Sequence, residues 1–327
     1  MHLDEFELHR PTTVEETVRL AERLAGSFDY LAGGTDLLPN YKMHINLRPH
    51  LIALEDVSEL KERSEGRWGA MVRLADLERD PTLRDGWPAI ADAVGEVATP
   101  LVRASGTVGG NLLVETRCFF FNQSHFWRES LGYCLKAEGD RCHVVPQKVR
   151  CYATFSGDLA PALLVADAEI EVAGPAGRRR IPLGALYDLE GDGIRRLTLA
   201  PGELLVAVHL PAAARGRSGR YKKLRVRPAF DFPELGVAVS ARWDGDRPEA
   251  LRLAVGGVDP YPRRFDELTE PLLGASLSEE RIRGLAEDVA QRVRPVHNTF
   301  LLPDYRKRMV SVYVRRAIAE ARAGAAG

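Results

Sequence analysis

The sequence lacks a charge excess, a long apolar run and a secretion signal. Its 45 Lys and Arg residues nearly balance 46 Asp and Glu residues, and the formal net charge of −1 gives no reason to expect nucleic acid or an acidic membrane surface as a partner. No apolar run approaches the roughly 18 residues of a membrane span. The acidic stretch Met1–Glu7 has no apolar segment of the signal-peptide kind. We therefore expect a cytoplasmic protein.

The sequence also lacks the motifs of several large enzyme classes. It contains no Ser/His/Asp order, no His-Glu-x-x-His motif and no Walker motif, so it offers no basis for a hydrolase or a kinase. It has no internal repeat and no low-complexity tract. The 327 residues suit two or three domains, at roughly 100–200 residues per domain. A content of 45% hydrophobic and 28% charged residues is ordinary for a globular protein.

Cysteine is scarce and unevenly distributed. All four cysteines, Cys118, Cys134, Cys142 and Cys151, lie in one segment with the spacing C-x15-C-x7-C-x8-C. In the cytoplasm such a cluster is more typical of ligands or redox groups than of disulfides. The spacing is neither that of a zinc ribbon nor that of the compact bacterial ferredoxin run. Four thiolates can hold a [4Fe–4S] cluster or a zinc ion, and buried free thiols are the alternative to both.

The side chains around the cysteines are also distinctive. Several aromatic residues would pack the segment and shield a cluster from water: Phe119, Phe120, Phe121, Phe126, Trp127 and Tyr133. His143 follows Cys142 directly, and we interpret it as a neighbour of the cysteine ligands rather than as a ligand.

Two similar glycine turns lie N-terminal to the cysteines. They are Gly33-Gly34-Thr35 and Thr107-Val108-Gly109-Gly110-Asn111. Glycine allows positive φ and lets backbone N–H groups form a concave anion site, so the two turns could hold the two phosphates of a dinucleotide. The alternative is that each is only a tight turn after a strand. Asp158 is predicted either to cap the element that starts at Leu159 or to accept a hydrogen bond from a ligand.

Hydrophobic spacing and turn residues predict the surrounding elements. A capping box of Thr12 and Glu15 predicts one helix, and a box of Ser276 and Glu279 predicts another. Further helices are predicted over 87–97 and 304–323, and strands over 28–32, 51–54, 168–172, 202–210, 235–243 and 251–258. We expect a solvated basic edge for at least two of four residues on a further strand: Lys222, Lys223, Arg225 and Arg227.

Three motifs resemble those of the FAD-binding subunits of the molybdenum hydroxylases, a family that includes the xanthine and carbon monoxide dehydrogenases. They are Ala32–Leu37, Thr107–Leu112 and Asp158–Leu163, and the similarity continues to the C-terminal helix. The cysteine-bearing insertion is similar to the one in the β subunits of 4-hydroxybenzoyl-CoA reductases, in which four cysteines hold a [4Fe–4S] cluster. The resemblance therefore implies two cofactors in this chain, FAD and a [4Fe–4S] cluster, with the metal ligands Cys118, Cys134, Cys142 and Cys151.

The resemblance also implies a fold and a set of FAD contacts. The fold class would be α+β, with a two-part FAD-binding domain of the vanillyl-alcohol-oxidase-like (PCMH-type) class and a C-terminal α+β domain. The FAD-binding subdomains would be 1–57 and 58–216, with the iron–sulfur insertion at about 115–155, and the C-terminal domain would be 217–327. The FAD pyrophosphate would be held by Leu31, Ala32, Gly33, Gly34, Thr35, Asp36 and Leu37, and by Thr107, Val108, Gly109, Gly110 and Asn111. Asp158 would lie near the second turn, and Leu205 and Lys222 would lie by the flavin ring.

The implied activity is electron transfer, with no catalytic residue in this chain. Ferredoxin would be the electron donor, and electrons would pass through this chain towards the [2Fe–2S] clusters of a small subunit and a molybdopterin-binding large subunit, in a dimer of heterotrimers. The net reaction would be the reductive dehydroxylation of 4-hydroxybenzoyl-CoA to benzoyl-CoA in anaerobic aromatic degradation. Two alternatives stay open. One is the FAD subunit of another molybdenum hydroxylase, acting on a purine, an aldehyde or another aryl-CoA, and the other is a structural or binding module whose cysteines hold zinc.

Overall fold

The computed structural model of the protein describes residues 3–325, so Met1, His2 and the predicted domain limit at residue 327 lie outside the described residues. The helices of the described part are α1 (Val14–Leu24), α2 (Leu37–Lys42), α3 (Leu74–Glu78), α4 (Pro81–Gly86), α5 (Pro88–Glu96), α6 (Pro100–Ser105), α7 (Val108–Leu112), α8 (His125–Ser130), α9 (Leu159–Val165), α10 (Asp266–Thr269), α11 (Glu279–Arg292) and α12 (Pro303–Ala323). The strands are β1 (Glu7–His9), β2 (Phe28–Leu31), β3 (His50–Ala53), β4 (Arg63–Ser64), β5 (Arg67–Gly69), β6 (Glu169–Gly174), β7 (Gly177–Pro182), β8 (Leu204–His209), β9 (Ser218–Leu224), β10 (Leu235–Asp244), β11 (Arg247–Gly256) and β12 (Arg263–Arg264). None of the helices within residues 3–325 combines the length and the apolar character that crossing a membrane requires.

A parallel three-stranded sheet forms the N-terminal unit, in the order β1-β3-β2. α1 covers it with apolar residues at helical spacing, Val14, Val18 and Ala21. The cap of α1 is Thr13, whose hydroxyl accepts the backbone N–H of Glu16 at 3.1 Å. The predicted capping box of Thr12 and Glu15 is therefore wrong by one residue. The sequence here is Thr12-Thr13-Val14-Glu15-Glu16, so a threonine is followed three residues later by a glutamate at two neighbouring positions, and either pair fits the capping-box pattern.

An antiparallel five-stranded sheet forms the middle unit, in the order β4-β5-β8-β6-β7. β8 lies between two other strands, and all of its residues are buried. The predicted helix at 87–97 is confirmed as α5. All seven residues of α9 are buried, because this helix packs against α5 and α7 on one side and against β10 and β11 on the other. α9 therefore joins the middle unit to the C-terminal sheet.

The C-terminal unit is a four-stranded antiparallel sheet, in the order β12-β11-β10-β9, covered by α11 and α12. The predicted last helix is confirmed as α12. The predicted capping box of Ser276 and Glu279 is wrong, because the cap of α11 is Ser278, whose hydroxyl accepts the N–H of Arg281 at 3.3 Å. Leu277 is buried in the core, with 1% of its surface exposed, and the helix begins only after this residue.

The cysteine-bearing segment contains little regular structure beyond α8 and a short 3-10 turn, Leu135–Ala137. It is anchored to both neighbouring units. The guanidinium of Arg128 donates to the carbonyl of His44 at 2.8 Å, and the N–H of Phe119 donates to the carbonyl of Asn298 at 3.1 Å. The segment is thus packed between the N-terminal sheet and the C-terminal unit.

Candidate cofactor sites

The first glycine turn connects β2 to α2 and approaches the backbone of another segment very closely. A Cβ at Gly33 would lie 2.0 Å from the carbonyl oxygen of Ser105, and Gly34 has a φ of +70°, so both positions require glycine. Within residues 3–325, the backbone N–H groups of Gly33, Gly34 and Thr35 have no hydrogen-bond acceptor. This turn therefore offers the open N–H groups that an anion would bind.

The second glycine turn is built differently from the prediction. Thr107 is the N-cap of α7, and its hydroxyl accepts the N–H of Gly110 at 3.1 Å. The N–H of Gly109 donates to the carbonyl of Ala70 at 2.8 Å, and a Cβ at Gly109 would collide with Ala70. The N–H groups of Val108, Gly109, Gly110 and Asn111 are thus already bonded within the protein. The second turn is therefore a capped helix packed on β5 rather than a nest as open as the first, and its contact with a phosphate stays a prediction.

The two turns lie next to each other at the border of a cleft. A Cβ at Gly110 would lie 4.0 Å from the Cβ of Ala32, and Gly110 is exposed. The cleft has a volume of about 1060 Å³, at the upper end of the roughly 300–1,000 Å³ of ligand sites in proteins. From the two predicted segments it is lined by Ala32, Gly33 and Thr107. Charged side chains of both signs line the rest: Arg10, Glu55, Asp56, Lys61, Arg63, Arg73, Asp76, Arg79 and Asp80. The structure therefore brings the two predicted phosphate-binding segments to one ligand-sized space.

Asp158 accepts hydrogen bonds at the start of α9 instead of capping it. Its carboxylate accepts from the hydroxyl of Tyr221 at 2.7 Å and from Nζ of Lys223 at 3.0 Å. Burial raises the pKa of Asp158, while the charge of Lys223 opposes that rise. The side chain of Asn111 accepts the N–H of Leu159 at 3.0 Å and so takes the role predicted for Asp158. Lys223 is completely buried and does not belong to the solvated edge predicted for its segment.

The two positions predicted beside a flavin ring lie in different environments. Leu205 is 2% exposed on β8, in the same apolar core as Val108 and Leu112 of the second turn. Lys222 points to the opposite face of β9 from Lys223, and its Nζ lies 2.7 Å from a carboxylate oxygen of Glu320 on α12. The structure thus associates Leu205, but not Lys222, with the packing around the second turn.

All four cysteines converge on one pocket. Cys118, Cys134, Cys142 and Cys151 are buried free thiols, and they line this pocket together with other residues of the segment, which include Phe120, Phe121, Lys136 and His143. Burial raises the pKa of Cys118 to about 12 and also raises the pKa of Cys151. The N–H of Ala153 points to Sγ of Cys151 at 3.4 Å. His143 bonds through Nε2 to the carbonyl of Tyr133 at 2.7 Å, as expected for a neighbour of the ligands.

A buried charge network borders the thiol pocket and was not anticipated from the sequence. Nζ of Lys136 donates to a carboxylate oxygen of Glu115 at 2.6 Å and lies 4.6 Å from the centre of the Phe121 ring. Arg196 donates to the same oxygen at 3.0 Å. Burial favours a raised pKa for Glu115, but the charges of Lys136 and Arg196 outweigh it and hold this pKa well below its usual value. In the sequence, the one sign of this network was the position of Lys136, a cation two residues after Cys134.

Arg117 links the thiol pocket to the first glycine turn. It directly precedes Cys118, and its guanidinium pairs with the carboxylate of Asp36 and lies 4.6 Å from the centre of the Phe232 ring. Its Nε is buried without a hydrogen-bond partner among the described residues. Ile45, which follows α2, packs in the same apolar cluster as Cys118. The two candidate sites are therefore joined by direct contacts, a connection that spacing in the sequence did not reveal.

Two family models match consecutive parts of the chain. The model described as the FAD binding domain in molybdopterin dehydrogenase matches residues 4–213, and the model described as the CO dehydrogenase flavoprotein C-terminal domain matches residues 219–321. These matches confirm the predicted fold class and support FAD as a cofactor.

Individual relatives extend over the whole chain. The aldehyde oxidoreductase FAD-binding subunit PaoB of Escherichia coli (strain K12) is 33% identical over 332 residues, which covers 98% of this chain and 99% of PaoB. The carbon monoxide dehydrogenase medium chain of Hydrogenophaga pseudoflava is 29% identical and covers 96% of each chain. A solved structure of carbon monoxide dehydrogenase from H. pseudoflava, in a form that lacks the Mo-pyranopterin moiety of the molybdenum cofactor, aligns with a TM-score of 0.78 at 27% identity over 99% of both chains.

Proposed function

This chain belongs to the FAD-binding subunits of the molybdenum hydroxylase family, and we propose that it also carries a [4Fe–4S] cluster and serves a 4-hydroxybenzoyl-CoA reductase. Neither matching family description names an iron–sulfur cluster. The cluster therefore rests on this chain's own residues. The observation that carries the proposal is the convergence of all four cysteine side chains on one buried pocket.

The residues around the cleft fit FAD. The open N–H groups of Gly33, Gly34 and Thr35 would bind a phosphate. Thr107 lines the same cleft, and the lack of a side chain at the neighbouring Gly110 would let the second turn approach the same ligand. Asn111 and Asp158 would support the FAD site indirectly. Asn111 holds the second turn against the start of α9, and Asp158 holds the start of α9 against β9. FAD supplies the exchange between one-electron and two-electron transfer.

The thiol pocket fits a soft-metal group. Four sulfur donors would ligate iron as thiolates, and an N–H contact to sulfur, as from Ala153 to Cys151, is one of the ways in which proteins tune such clusters. Four thiolates would also suit zinc. Iron is favoured because zinc has no redox chemistry, whereas the family to which this chain belongs consists of oxidoreductase subunits. Lys136 and Arg196, set against the single charge of Glu115, would leave net positive charge beside the thiolates.

The partners follow from the proposed activity. The names of the relatives describe an FAD-binding subunit and a medium chain of larger enzymes. This chain would join a molybdopterin-binding large subunit and a [2Fe–2S] small subunit in a dimer of heterotrimers, with ferredoxin as the electron donor. Substrate would react in the large subunit. The alternative within the family is a different substrate, such as the aldehyde named for PaoB or the carbon monoxide named for the H. pseudoflava enzyme.

A substrate assay on the assembled enzyme tests this function. The complex purified through this chain should reduce 4-hydroxybenzoyl-CoA to benzoyl-CoA with reduced ferredoxin. It should be at least about a hundredfold less active on benzaldehyde, xanthine and carbon monoxide, a difference of about 2.7 kcal/mol in activation free energy. Preferential oxidation of an aldehyde or of carbon monoxide would establish the alternative instead. A preparation that contains zinc and no flavin would remove the electron-transfer function altogether.

A further inference from the structure

Three potential metal ligands meet at the edge of the N-terminal sheet, away from the cysteine pocket. Glu7 and His9 are two residues apart on β1 and so project to the same face, and Glu7 is the register partner of His50 on β3. The side chains of His9 and His50 are only 15% and 25% exposed, whereas that of Glu7 is 65% exposed. Paired strands, rather than flexible loops, therefore set the positions of all three side chains.

The separations of the potential ligand atoms are close to the edge lengths of a coordination tetrahedron. Nε2 of His9 lies 3.2 Å from Nδ1 of His50. One Glu7 carboxylate oxygen lies 3.6 Å from the former nitrogen, and the other lies 3.4 Å from the latter. For metal–ligand bonds of about 2.0–2.2 Å, neighbouring ligand atoms of a tetrahedral site are about 3.3–3.6 Å apart.

We propose that Glu7, His9 and His50 form a binding site for a divalent transition-metal ion of the Zn²⁺ type. Two imidazole nitrogens and one carboxylate suit such an ion, whereas Mg²⁺ and Ca²⁺ prefer oxygen ligands alone. The exposed side of Glu7 leaves the fourth position to water. Neither the FAD cleft nor the thiol pocket includes these residues, so the site is independent of the proposed electron-transfer function.

The ion would fasten β1 to the rest of the sheet. β1 has three residues and, among the strands of residues 3–325, pairs only with β3, so it is an edge strand with few backbone hydrogen bonds. Two of the proposed ligands are on β1 and the third is on β3. Bound metal would therefore favour the folded state of this edge by mass action, since the unfolded chain holds no such site.

Zinc stoichiometry in matched variants tests the proposal. The full-length protein is dialysed against chelator and equilibrated with micromolar Zn²⁺, and zinc, iron and flavin are counted per chain. His9→Gln and His50→Gln should each bind one zinc fewer than the wild type, with unchanged iron and flavin. Glu7→Gln should weaken zinc binding about tenfold or more. His125→Gln is the control, because it replaces an exposed histidine of the cysteine-bearing segment, and it should leave the zinc count unchanged.

A thermal measurement makes the test independent of counting. Zn²⁺ should raise the Tm of the wild type and of His125→Gln, and should leave the Tm of His50→Gln unchanged. Equal zinc counts in the wild type and in folded His9→Gln and His50→Gln, or a wild type that binds no zinc at about 100 µM, would overturn the site. A wild type that contains neither iron nor flavin, but still binds one zinc more than His9→Gln and His50→Gln, would contradict the proposed electron-transfer function and support the metal site.

Discussion

At the scale of single residues, Lys223 and Asp158 form an ion pair whose side chains are 0% and 4% exposed. The pair lies where α9 meets β9, and the hydroxyl of Tyr221 completes the hydrogen bonding of the carboxylate. A buried charge without its partner is far more costly than an intact pair. This pair therefore fixes the C-terminal sheet against the segment that follows the cysteines.

Lys223→Met should destabilise the protein by about 3–5 kcal/mol, because it leaves the Asp158 carboxylate buried and unpaired. The free energy of unfolding in urea measures this effect. The double variant Lys223→Met/Asp158→Asn should recover much of the loss, since it removes the second charge as well. Lys222→Met, at the half-exposed neighbouring position, serves as the control. A loss below about 1 kcal/mol in Lys223→Met would contradict this account of the pair.

Gly110→Val should weaken FAD binding at least about tenfold while the fold persists. A Cβ at Gly110 would lie 3.0 Å from the hydroxyl of Thr107 and 4.0 Å from the Cβ of Ala32, so a valine would crowd two residues that line the cleft. Flavin fluorescence titration measures the affinity, and circular dichroism confirms the fold. Gly284→Val on α11, where a Cβ has nothing within 4 Å, is the matched control. Unchanged FAD affinity in Gly110→Val would remove the second turn from the site.

Glu115 should make the free energy of unfolding depend on pH. Its pKa is held below the ordinary 4.5, so the folded protein binds this proton less readily than the unfolded chain does. Its contribution to stability is therefore present above about pH 4.5 and is lost as the pH falls. Glu115→Gln should flatten the decline in the free energy of unfolding between roughly pH 5 and 3. The exposed Glu129→Gln should retain the wild-type slope, and an identical slope in both variants would argue against the Glu115 network.

At the scale of elements, the sequence predicted what local patterns control. The helix at 304–323 and the strands at 235–243 and 251–258 follow from spacing alone, and each occurs in the structure. Cap positions were missed where neighbouring residues allow two registers, as at Thr12 and Thr13. Lys223 was missed because its environment is created by Asp158, 65 residues earlier in the chain. Spacing cannot report a partner that only the tertiary fold brings close.

The same distinction applies to the candidate sites. The composition of the cysteine segment indicated a metal site, and the structure does converge all four thiols. The bonded N–H groups of the second glycine turn were not foreseeable, since a capped helix and an open anion nest share the same glycine pattern. The contact of Arg117 with Asp36 was equally hidden, because it joins an insertion to a turn about 80 residues away.

Arg117→Met should impair both candidate sites together. Its guanidinium pairs with Asp36 of the first turn and stacks on Phe232, while its backbone leads directly into Cys118. We expect FAD affinity to fall about tenfold, and the iron content to fall in the same preparation. Arg117→Lys should be intermediate, because it keeps the charge but loses the planar stacking. Arg141→Met, an exposed position in the same segment, should change neither quantity, and a similar loss in that variant would make the effect of Arg117 non-specific.

At the scale of the whole molecule, a short buried helix, α9, joins the middle unit to the C-terminal sheet, and the cysteine segment contacts both the N-terminal and the C-terminal units. The family relationship explains the glycine turns and the cleft. The second cofactor that we propose for this subunit would account for the thiol pocket. The central claim is therefore that one chain of this flavoprotein family holds iron and FAD in contacting sites.

Iron and flavin quantitation of anaerobically purified wild type and Cys134→Ser tests this claim most directly. The wild type should contain one FAD and about four irons per chain, with the broad visible absorption of a [4Fe–4S] cluster. Cys134→Ser should lose most of the iron and keep its FAD, because the cysteine does not line the cleft. A wild type that holds FAD but no iron, or a Cys134→Ser protein with full iron content, would contradict it.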